Sequence, residues 1–447
     1  MTSTIRRDGF HVTHARVFAI AAPAMLANLT TPLLGLVSTA IIGRLGEPHL
    51  LGAVGMSALI FDLTFWLFGF LRMGTVALTA QALGAGDAVE ERAVLLRALL
   101  IAAVIGLALV VLQVPLAAVI YDLMGGSAAV RQAAETYFHL RIWSAPFALG
   151  NYAIAGWLVG IARAKTALAL QIAINVLNMA GAAVLVLAFD MGIAGAAIAA
   201  AASEAIGLLA GLGVAYRLLG GRLVIGRKVV LQRAQLMRML RVNRDIMIRT
   251  AALIAAFAFF AAQGARAGDV TLAANSVLHN FTLVGSFFLD GMATAAEQLC
   301  GRAVGARDAH AFRRAVRLVI LWGYAFGAAT SLLFLAGGEQ FIAIMTVSQD
   351  VRGAAAIFMV YAALAPVIGV LAYGFDGIYV GATWTRDMRN LMVVALAIYL
   401  ATWWTASSLG NAGLWIAFLL FLAARGLLQA LRYPVLARTS FPASASA

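Results

Sequence analysis

The sequence predicts an all-α integral membrane protein, with twelve transmembrane helices in two six-helix lobes related by a pseudo-two-fold axis along the membrane normal. Three observations predict it. Hydrophobic residues make up 63% of the chain and charged residues 11%, against about 45–50% and about 25% in soluble domains. Lipid is the solvent that suits such a composition. Apolar stretches of about 20 residues or more recur along the chain, each long enough to span a bilayer. The second half also repeats the first. Gln81-Ala-Leu-Gly-Ala-Gly-Asp87 returns as Arg302-Ala-Val-Gly-Ala-Arg-Asp308, 221 positions later. The same offset aligns Gly156 and Gly160 with Gly377 and Gly381, and Leu51 and Ala53 with Leu272 and Ala274. Near the end of each half, Gly192-Ile-Ala-Gly195 answers Gly410-Asn-Ala-Gly413, at an offset of 218. Four matches in one order argue for a duplicated unit of roughly 200 residues.

The spans run at approximately 16–40, 50–80, 92–121, 132–161, 166–189, 193–217, 245–265, 271–301, 315–337, 351–382, 390–407 and 411–433. The first follows a basic head (Arg6, Arg7, Arg16) without a small-residue cleavage site, and reads as a retained helix. Pro23 and Pro32 bracket a bendable stretch of it. Pro115, Pro146 and Pro366 each remove a backbone donor and can kink their spans. Spans five and six are rich in Ala and Gly, which permits close helix packing. Six spans per half is an even number, so both halves enter the membrane in the same orientation and their axis lies along the normal.

Basic residues set the topology. Arg6/Arg7/Arg16, Arg92/Arg97, Arg163/Lys165, the 217–249 segment, Arg302/Arg307/Arg313/Arg314/Arg317, Arg386/Arg389 and Arg432/Arg438 fall on one side, and Arg44, Arg131, Arg266 and Arg352 on the other. The positive-inside rule places the first group, and both termini, in the cytoplasm. The expected organisation is an N-terminal lobe over 1–217, a cytoplasmic basic linker over 218–244 and a C-terminal lobe over 245–447. Within the linker, a short amphipathic helix around 229–241 is expected to lie on anionic lipid. The net charge of +13 is therefore a topology signal. A nucleic-acid partner does not fit basic residues confined to short loops.

Enzyme chemistry has little to build on. Cys300 is the only cysteine and the six histidines are scattered, so neither a disulfide nor a thiolate metal site is expected. No phosphate loop, nucleophile elbow or zinc motif occurs, and no cofactor is expected. An internally repeated membrane chain without a nucleotide-binding domain points to a transporter driven by an ion gradient or running downhill.

The candidate site residues are the ionisable groups inside spans, each costing roughly 2.5–3.5 kcal/mol or more at the bilayer centre. They are Asp62 and Arg72 in span two, Arg141 in span four, Glu204 in span six, Asp290 and Glu297 in span eight, and Asp376 in span ten. Asp290 and Glu297 are seven apart, nearly two turns, and share a face about 10 Å apart along the axis. His279 falls on the same face. Three titratable groups on one stripe read as the lining of a wet cavity or a proton relay. A second reading puts Glu297 near the cytoplasmic surface, beside Arg302. Asp376 lies between Gly374 and Gly377, with Tyr373 and Tyr379 a turn either side, a combination that suits an organic cation. Asp62 also reads as a hydrogen-bonding residue, Arg72 and Arg141 as structural ion-pair or carbonyl-binding residues, and Glu204 as facing the other helices of its half.

Several runs carry a family resemblance. Pro32-Leu-Leu-Gly-Leu-Val-Ser-Thr-Ala-Ile-Ile-Gly-Arg-Leu-Gly46 resembles the first helix of MATE transporters of the DinF branch. Phe70-Leu-Arg-Met-Gly-Thr75 with Ala80-Gln-Ala-Leu-Gly84, Arg141-Ile-Trp-Ser-Ala-Pro146, Asp290-Gly-x-Ala-x-Ala-Ala-Glu297 and Asp376-Gly-Ile-Tyr-Val-Gly-Ala382 resemble it too, so the likeness covers essentially the whole chain. It implies a multidrug exporter in the bacterial inner membrane that opens alternately to either side. Such a protein expels cationic, often aromatic, small organic molecules in exchange for protons or sodium ions and works as a monomer in the lipid bilayer. The departures are specific. Relatives carry an aspartate where this chain has Ser38, and a second acid four residues after an Asn-x-x-Asn pattern. Here Asn175 and Asn178 stand, but Ala182 follows. Ser38, Thr39 and Asn178 offer only neutral oxygens, and a hydroxyl is not a proton switch. Coupling, to protons rather than sodium, is therefore expected at Asp290, Asp376 and Glu297. Two alternatives stand beside this reading. One is a lipid-linked precursor flippase, for which Arg72 and Arg141 would face the central cleft. The other is an uncoupled transporter or receptor, given the missing N-lobe acids.

Overall fold

The computed structural model describes residues 11–124, 127–223 and 225–442. Arg6 and Arg7 of the basic head lie outside the described residues. Among the described residues, sixteen α-helices cover all twelve expected spans. Span one is α1 (His14–Gly43), with Pro23 and Pro32 inside it. Span two is broken once, into α2 (Pro48–Leu67) and α3 (Phe70–Ala85). Span three is α4 (Ala88–Val111) and α5 (Gln113–Met124). Span four is α6 (Ala128–Arg141) and α7 (Ala145–Gly160), separated by a tight 3₁₀ turn just before Pro146, where the proline has no donor to give. Spans five and six are α8 (Ala164–Ala183, continued by a π-helical stretch Val184–Ala188) and α9 (Gly192–Leu218). After a four-residue α10 (Arg227–Val230), span seven is α11 (Arg233–Arg266). The rest are α12 (Asp269–Gly305), α13 (Ala309–Met345), α14 (Gln349–Gly381), α15 (Thr385–Ala406) and α16 (Asn411–Ser440).

Among the described residues, eleven helical stretches are long and apolar enough to cross a membrane. The broken fourth span is the exception, because neither of its pieces spans alone. Their outer faces carry exposed Val104 (61%), Leu209 (70%), Leu332 (66%) and Ile357 (70%). Water would penalise such a surface, whereas lipid does not.

One stretch departs from expectation. No separate amphipathic helix lies around 229–241; Val229 and Val230 end α10, and from Arg233 onward the segment forms the first turns of α11. From Arg233 to Gln263 no glycine or proline interrupts a run rich in Leu, Met, Arg and Ala, so nothing stops the helix. Its apolar side packs on protein, with Met239, Val242 and Ile246 buried and Val242 against Gly74 of α3.

Packing divides the chain into two compact units. One comprises Pro23–Thr79 and Ala88–Ala255, and the other the described residues within Met1–Ala22, Ala80–Asp87 and Ala256–Ala447. α1 divides at its first proline.

The repeat seen in the sequence is a repeat of contacts. In the first unit, a Cβ added at Gly156 would fall 2.5 Å from the Arg72 carbonyl oxygen, and one at Gly160 would fall 3.0 Å from that of Val76. In the second unit, Gly377 faces the Ala293 carbonyl in the same way, and Gly381 that of Glu297, at 2.5 Å. The offset of 221 carries each member of one pair onto the other. So α7 lies on α3 as α14 lies on α12, backbone against backbone, through a small-x-x-x-small stripe.

The turns repeat as well. The Asp87 N–H donates to the Ala82 carbonyl as that of Asp308 does to Ala303. Gly86 and Arg307 both take a left-handed φ (72° and 54°), as do Ala162 and Thr383 (61° and 56°). The slip of the offset to 218 falls in the fifth helix of each half. The first copy ends in the π-helical stretch Val184–Ala188, whereas α15 is followed by a 3₁₀ turn, Ser407–Leu409.

The two motif copies also touch each other inside the second unit. Gly84 packs on the Arg302 backbone and Gly305 on that of Gln81. Such a reciprocal pairing is what a local two-fold produces. Gln81 Nε2 then donates to the Gly381 carbonyl at 2.8 Å.

Valine at Gly377 and valine at Gly156 are therefore expected to cost alike. Each overpacks a backbone contact and should lower the thermal midpoint of the detergent-purified protein by about 5–10 °C. Gly213, with open space around it, should accept alanine with a change under about 2 °C. Thermal unfolding of the three variants measures this.

Candidate functional site

Glycines also decide where the buried charges meet. Gly377 brings α14 to α12, and Gly426 brings α16 to α14, its missing Cβ position lying 2.7 Å from the Ala372 nitrogen. The residue before each glycine is charged: Asp376 and Arg425. Close approach at the glycine thus carries each charged neighbour into the interface. Arg425 Nη2 donates to Asp376 Oδ2, and Gln429 Nε2 donates to Asp376 Oδ1 at 2.9 Å. All three side chains are buried. The Arg425 guanidinium lies over the ring of Tyr373, one turn before Asp376, at 5.3 Å from the centroid. The hydroxyls of Tyr373 and Ser286 share a hydrogen bond of 2.7 Å. Ser286 stands one turn before Asp290 on α12, and half-buried Asp290 acts electrostatically on Arg425. Tyr379 donates its hydroxyl to the Gln429 carbonyl at 2.7 Å, which fixes that turn of α16.

The structure therefore brings Asp290, Asp376 and Tyr373 together. Glu297 is buried, at 1% exposure, with its carbonyl against Gly381. It stands roughly 10 Å along α12 from Asp290. His279 packs edge-on against Phe257 at 5.4 Å, about 16 Å along the axis from Asp290 in the other direction. The three titratable groups of α12 form a line, and only Asp290 joins the cluster on α14 and α16.

The first unit holds a second polar cluster. Arg141 donates to the Tyr137 hydroxyl at 2.9 Å, and its guanidinium lies 5.0 Å from the Phe61 ring centroid. Glu204 accepts from Asn151 Nδ2 at 2.7 Å. Asp62 and Glu204 both act on Arg141, and Arg72 acts with them on Tyr152. Two arginines and two acids thus lie within electrostatic reach of one another. Asp62 is exposed and Arg72 half-buried.

The positions expected to have lost their acids lie elsewhere in this unit. Ser38 is half-buried on α1. Asn178 and Asn175 are buried on α8, and Asn175 Nδ2 donates to Thr30 Oγ1 at 2.8 Å. Ala182 sits in an apolar core with Ile42, Val186 and Ala197.

Sequence reasoning missed Arg425, Gln429 and Ser286. Arg425 interrupts span twelve as Arg72 interrupts span two, so the cost of an intramembrane charge would have marked it. Gln429 and Ser286 carry no such cost and gave no signal.

Comparison with known proteins places this geometry. The model of the MatE family matches residues 23–184 and 246–404. The chain is 36% identical to DNA damage-inducible protein F of Escherichia coli strain K12, over 91% of this chain and 89% of that one. It is 25% identical to the "Probable multidrug resistance protein NorM" of Rhizobium meliloti strain 1021, over 95% and 94%. The fold matches that of the Vibrio cholerae MATE transporter VcmN, solved in the bent form. The TM-score is 0.86 at 20% identity, covering 96% of this chain and 97% of that one.

Arg425 and Asp376 should behave as a pair in stability measurements. Asp376→Asn or Arg425→Gln alone leaves a buried charge uncompensated, at a cost of about 3–5 kcal/mol. The double variant removes both charges and should recover most of that loss. A double-mutant cycle on thermal midpoints in detergent is the measurement, with a coupling above about 1 kcal/mol expected.

Proposed function

The chain belongs to the MatE family, and from that premise we propose that it exports cationic organic compounds in exchange for protons, with the coupling acids in α12 and α14. It is a multi-pass membrane transporter and not an enzyme, as its relatives are. The observation that carries the finer reading is the distribution of buried acids. Ser38 and Ala182 stand where relatives carry carboxylates. Asp290 and Asp376 instead meet within one cluster beside Arg425, Tyr373 and Gln429. Glu297 lies two turns along α12 and is the next candidate in a proton path. Ser38, Thr39 and Asn178 serve as neutral lining groups.

The cycle follows from charge. A deprotonated acid in a low-dielectric site attracts a cation far more strongly than it would in water. Protonation cancels the attraction. In the state open to the cytoplasm, the cluster exchanges its proton for cargo. Once open to the more acidic exterior, it takes a proton and the cargo leaves. The aromatic face of Tyr373 favours a delocalised organic cation. Sodium would need several oxygen ligands around one point, whereas Asp376 already spends both oxygens on Arg425 and Gln429. Protons are thus the better partner. The chain is proposed to sit in the bacterial inner membrane as a monomer, with both termini in the cytoplasm and the two halves, 1–217 and 245–447, moving as lobes.

The flippase reading fits less well. A phosphate head group favours a net basic site, but Arg72 and Arg141 are matched by Asp62 and Glu204. An uncoupled carrier or receptor would need no buried acids at all.

Reconstituted into vesicles, the chain is expected to move a lipophilic cation against its gradient when a pH gradient is imposed, without dependence on sodium. Asp290→Asn combined with Asp376→Asn should reduce proton-driven export at least about tenfold, as loss of two interacting charges worth about 1.4 kcal/mol or more requires. Undiminished export by that double variant would sink the assignment.

A further inference from the structure

One buried charge in the first unit belongs to neither cluster. Arg97 of α4 is 1% exposed, and all three of its nitrogens donate. Its Nε reaches the Val230 carbonyl at 3.0 Å and its Nη2 the Val229 carbonyl at 2.8 Å. These are the two last carbonyls of α10, so the arginine caps that short helix from α4. Its Nη1 donates to Glu90 Oε1 at 2.7 Å, which orients the fork. At the offset of 221, Arg97 stands opposite Leu318 and Glu90 opposite Ala311. The pair thus stands only where the chain passes from one half to the next. It also sets the depth of the linker. Glu90, Arg97 and Val104 are seven apart, nearly two turns, and share a stripe of α4. On that stripe Val104 is 61% exposed, and Leu100, three past Arg97, is 40% exposed, a surface that lipid covers. α10 therefore lies over the cytoplasmic end of a lipid-facing stripe, about 10 Å along α4 from Val104. Its side chains suit that level. Arg227, Lys228 and Arg233 are exposed, and no acidic residue occurs from 217 to 244. Leu231, between them, is 42% exposed. Basic and apolar side chains mixed at one level are the pattern of an interfacial segment.

We propose that α10 and the start of α11 form a binding surface for anionic phospholipid headgroups, held in place by Arg97. Arg227, Lys228 and Arg233 meet the headgroup phosphates, and Leu231 enters the acyl boundary beneath them. Charge complementarity names the occupant. A row of cations with no acid among them gains with each residue beside an anionic leaflet. The exposed leucine among them suits acyl chains, and a soluble acidic partner would have no use for it. A loose linker would be drawn to the same leaflet, but only at the entropic cost of ordering it on arrival. Arg97 has already ordered this one. Its cations present a single geometry and hold anionic lipid better than those of the other cytoplasmic loops do. The surface stands apart from the export chemistry and rests only on the cytoplasmic placement of the linker. It ties the lipid composition of the inner leaflet to the segment that joins the two halves.

The test is the thermal midpoint of the purified full-length chain in nanodiscs of phosphatidylcholine, alone or mixed with phosphatidylglycerol. The anionic lipid should raise the midpoint of the parent chain by at least about 3 °C, the shift given by a ligand well above its dissociation constant. Arg227→Gln with Lys228→Gln and Arg233→Gln should lose most of that rise. A control triple from other cytoplasmic loops, Arg163→Gln with Lys165→Gln and Arg386→Gln, removes the same charge and should keep it. Arg97→Gln leaves the linker cations in place but frees α10. It should lose most of the rise too, and open the bonds after Arg227 and Lys228 to trypsin. If Arg97→Gln does not fold, the linker triple decides, since its three side chains are exposed. Depth is read separately. Cys300 is the only cysteine and is buried, so a bimane placed on Leu231→Cys reports from one site. Lipid carrying a nitroxide near its headgroup should quench it. Absence of quenching overturns the proposal, as does a parent chain whose midpoint ignores phosphatidylglycerol. An equal loss in the control triple assigns the rise to net charge and overturns it as well. So does an equal rise with inorganic phosphate in phosphatidylcholine alone, which removes lipid as the ligand. None of these outcomes bears on the exporter reading.

Discussion

The structure depends on helices that touch backbone to backbone inside a solvent that offers no hydrogen bonds. Lipid tails give apolar side chains no reason to prefer one another, so association rests on packing and on buried polar pairs. Glycine supplies the packing. Gly156 and Gly160 let α7 lie on α3, and Gly377 and Gly381 let α14 lie on α12. A side chain at any of these four positions would push the pair apart. In the second half, the polar pairing is built on that approach. Asp376 precedes Gly377 and Arg425 precedes Gly426, so the glycines that close the helices also carry the ion pair into the interface. An arginine and an aspartate held apart in lipid would each be costly. Held together between glycines, they satisfy one another.

This origin explains what could be read from the sequence. The glycines recur at a fixed offset, so the duplication was visible before any coordinate, and the contacts that give it meaning fall at the same offset. Span positions follow from hydropathy alone. The breaks within spans do not, because a turn at Ile142–Ser144 depends on how Pro146 is relieved by its neighbours. The continuity of α11 was misjudged for another reason. Basic residues over 227–241 mark a polar boundary, but helix propensity ignores charge where no glycine or proline intervenes. Asp290, Asp376 and Tyr373 were legible as intramembrane polar groups. Their meeting was not, because it depends on α16, and Arg425 had been absorbed into the apolar run around it. Ala182 read as a neutral position, and it packs in an apolar core with Ile42, Val186 and Ala197.

The two halves share a backbone plan and differ in charge. At the offset of 221, Asp290 stands opposite Gly69, Asp376 opposite Ala155, Arg72 opposite Ala293 and Arg141 opposite Ala362. At 218, Arg425 stands opposite Gly207 and Glu204 opposite Leu422. No buried charge has a charged counterpart. The helices that bear them nonetheless correspond. In the first half, the second and fourth spans carry arginines and the sixth carries Glu204. In the second half, the equivalent spans carry Asp290 and Asp376, and the sixth carries Arg425. The polarity is reversed on the fourth and sixth spans, while the second span of the first half carries Asp62 as well as Arg72.

The first-half cluster sets Arg72 and Arg141 within electrostatic reach of Asp62 and Glu204, whereas the α12–α14–α16 cluster pairs Arg425 directly with Asp376, and Gln429 donates to the same carboxylate. In the first of these, Arg141 is held by Tyr137, Phe61 and the field of Glu204, an arrangement that suits a fixed scaffold. The same glycine contacts thus build both halves, and the charges placed beside them are what the halves do not share.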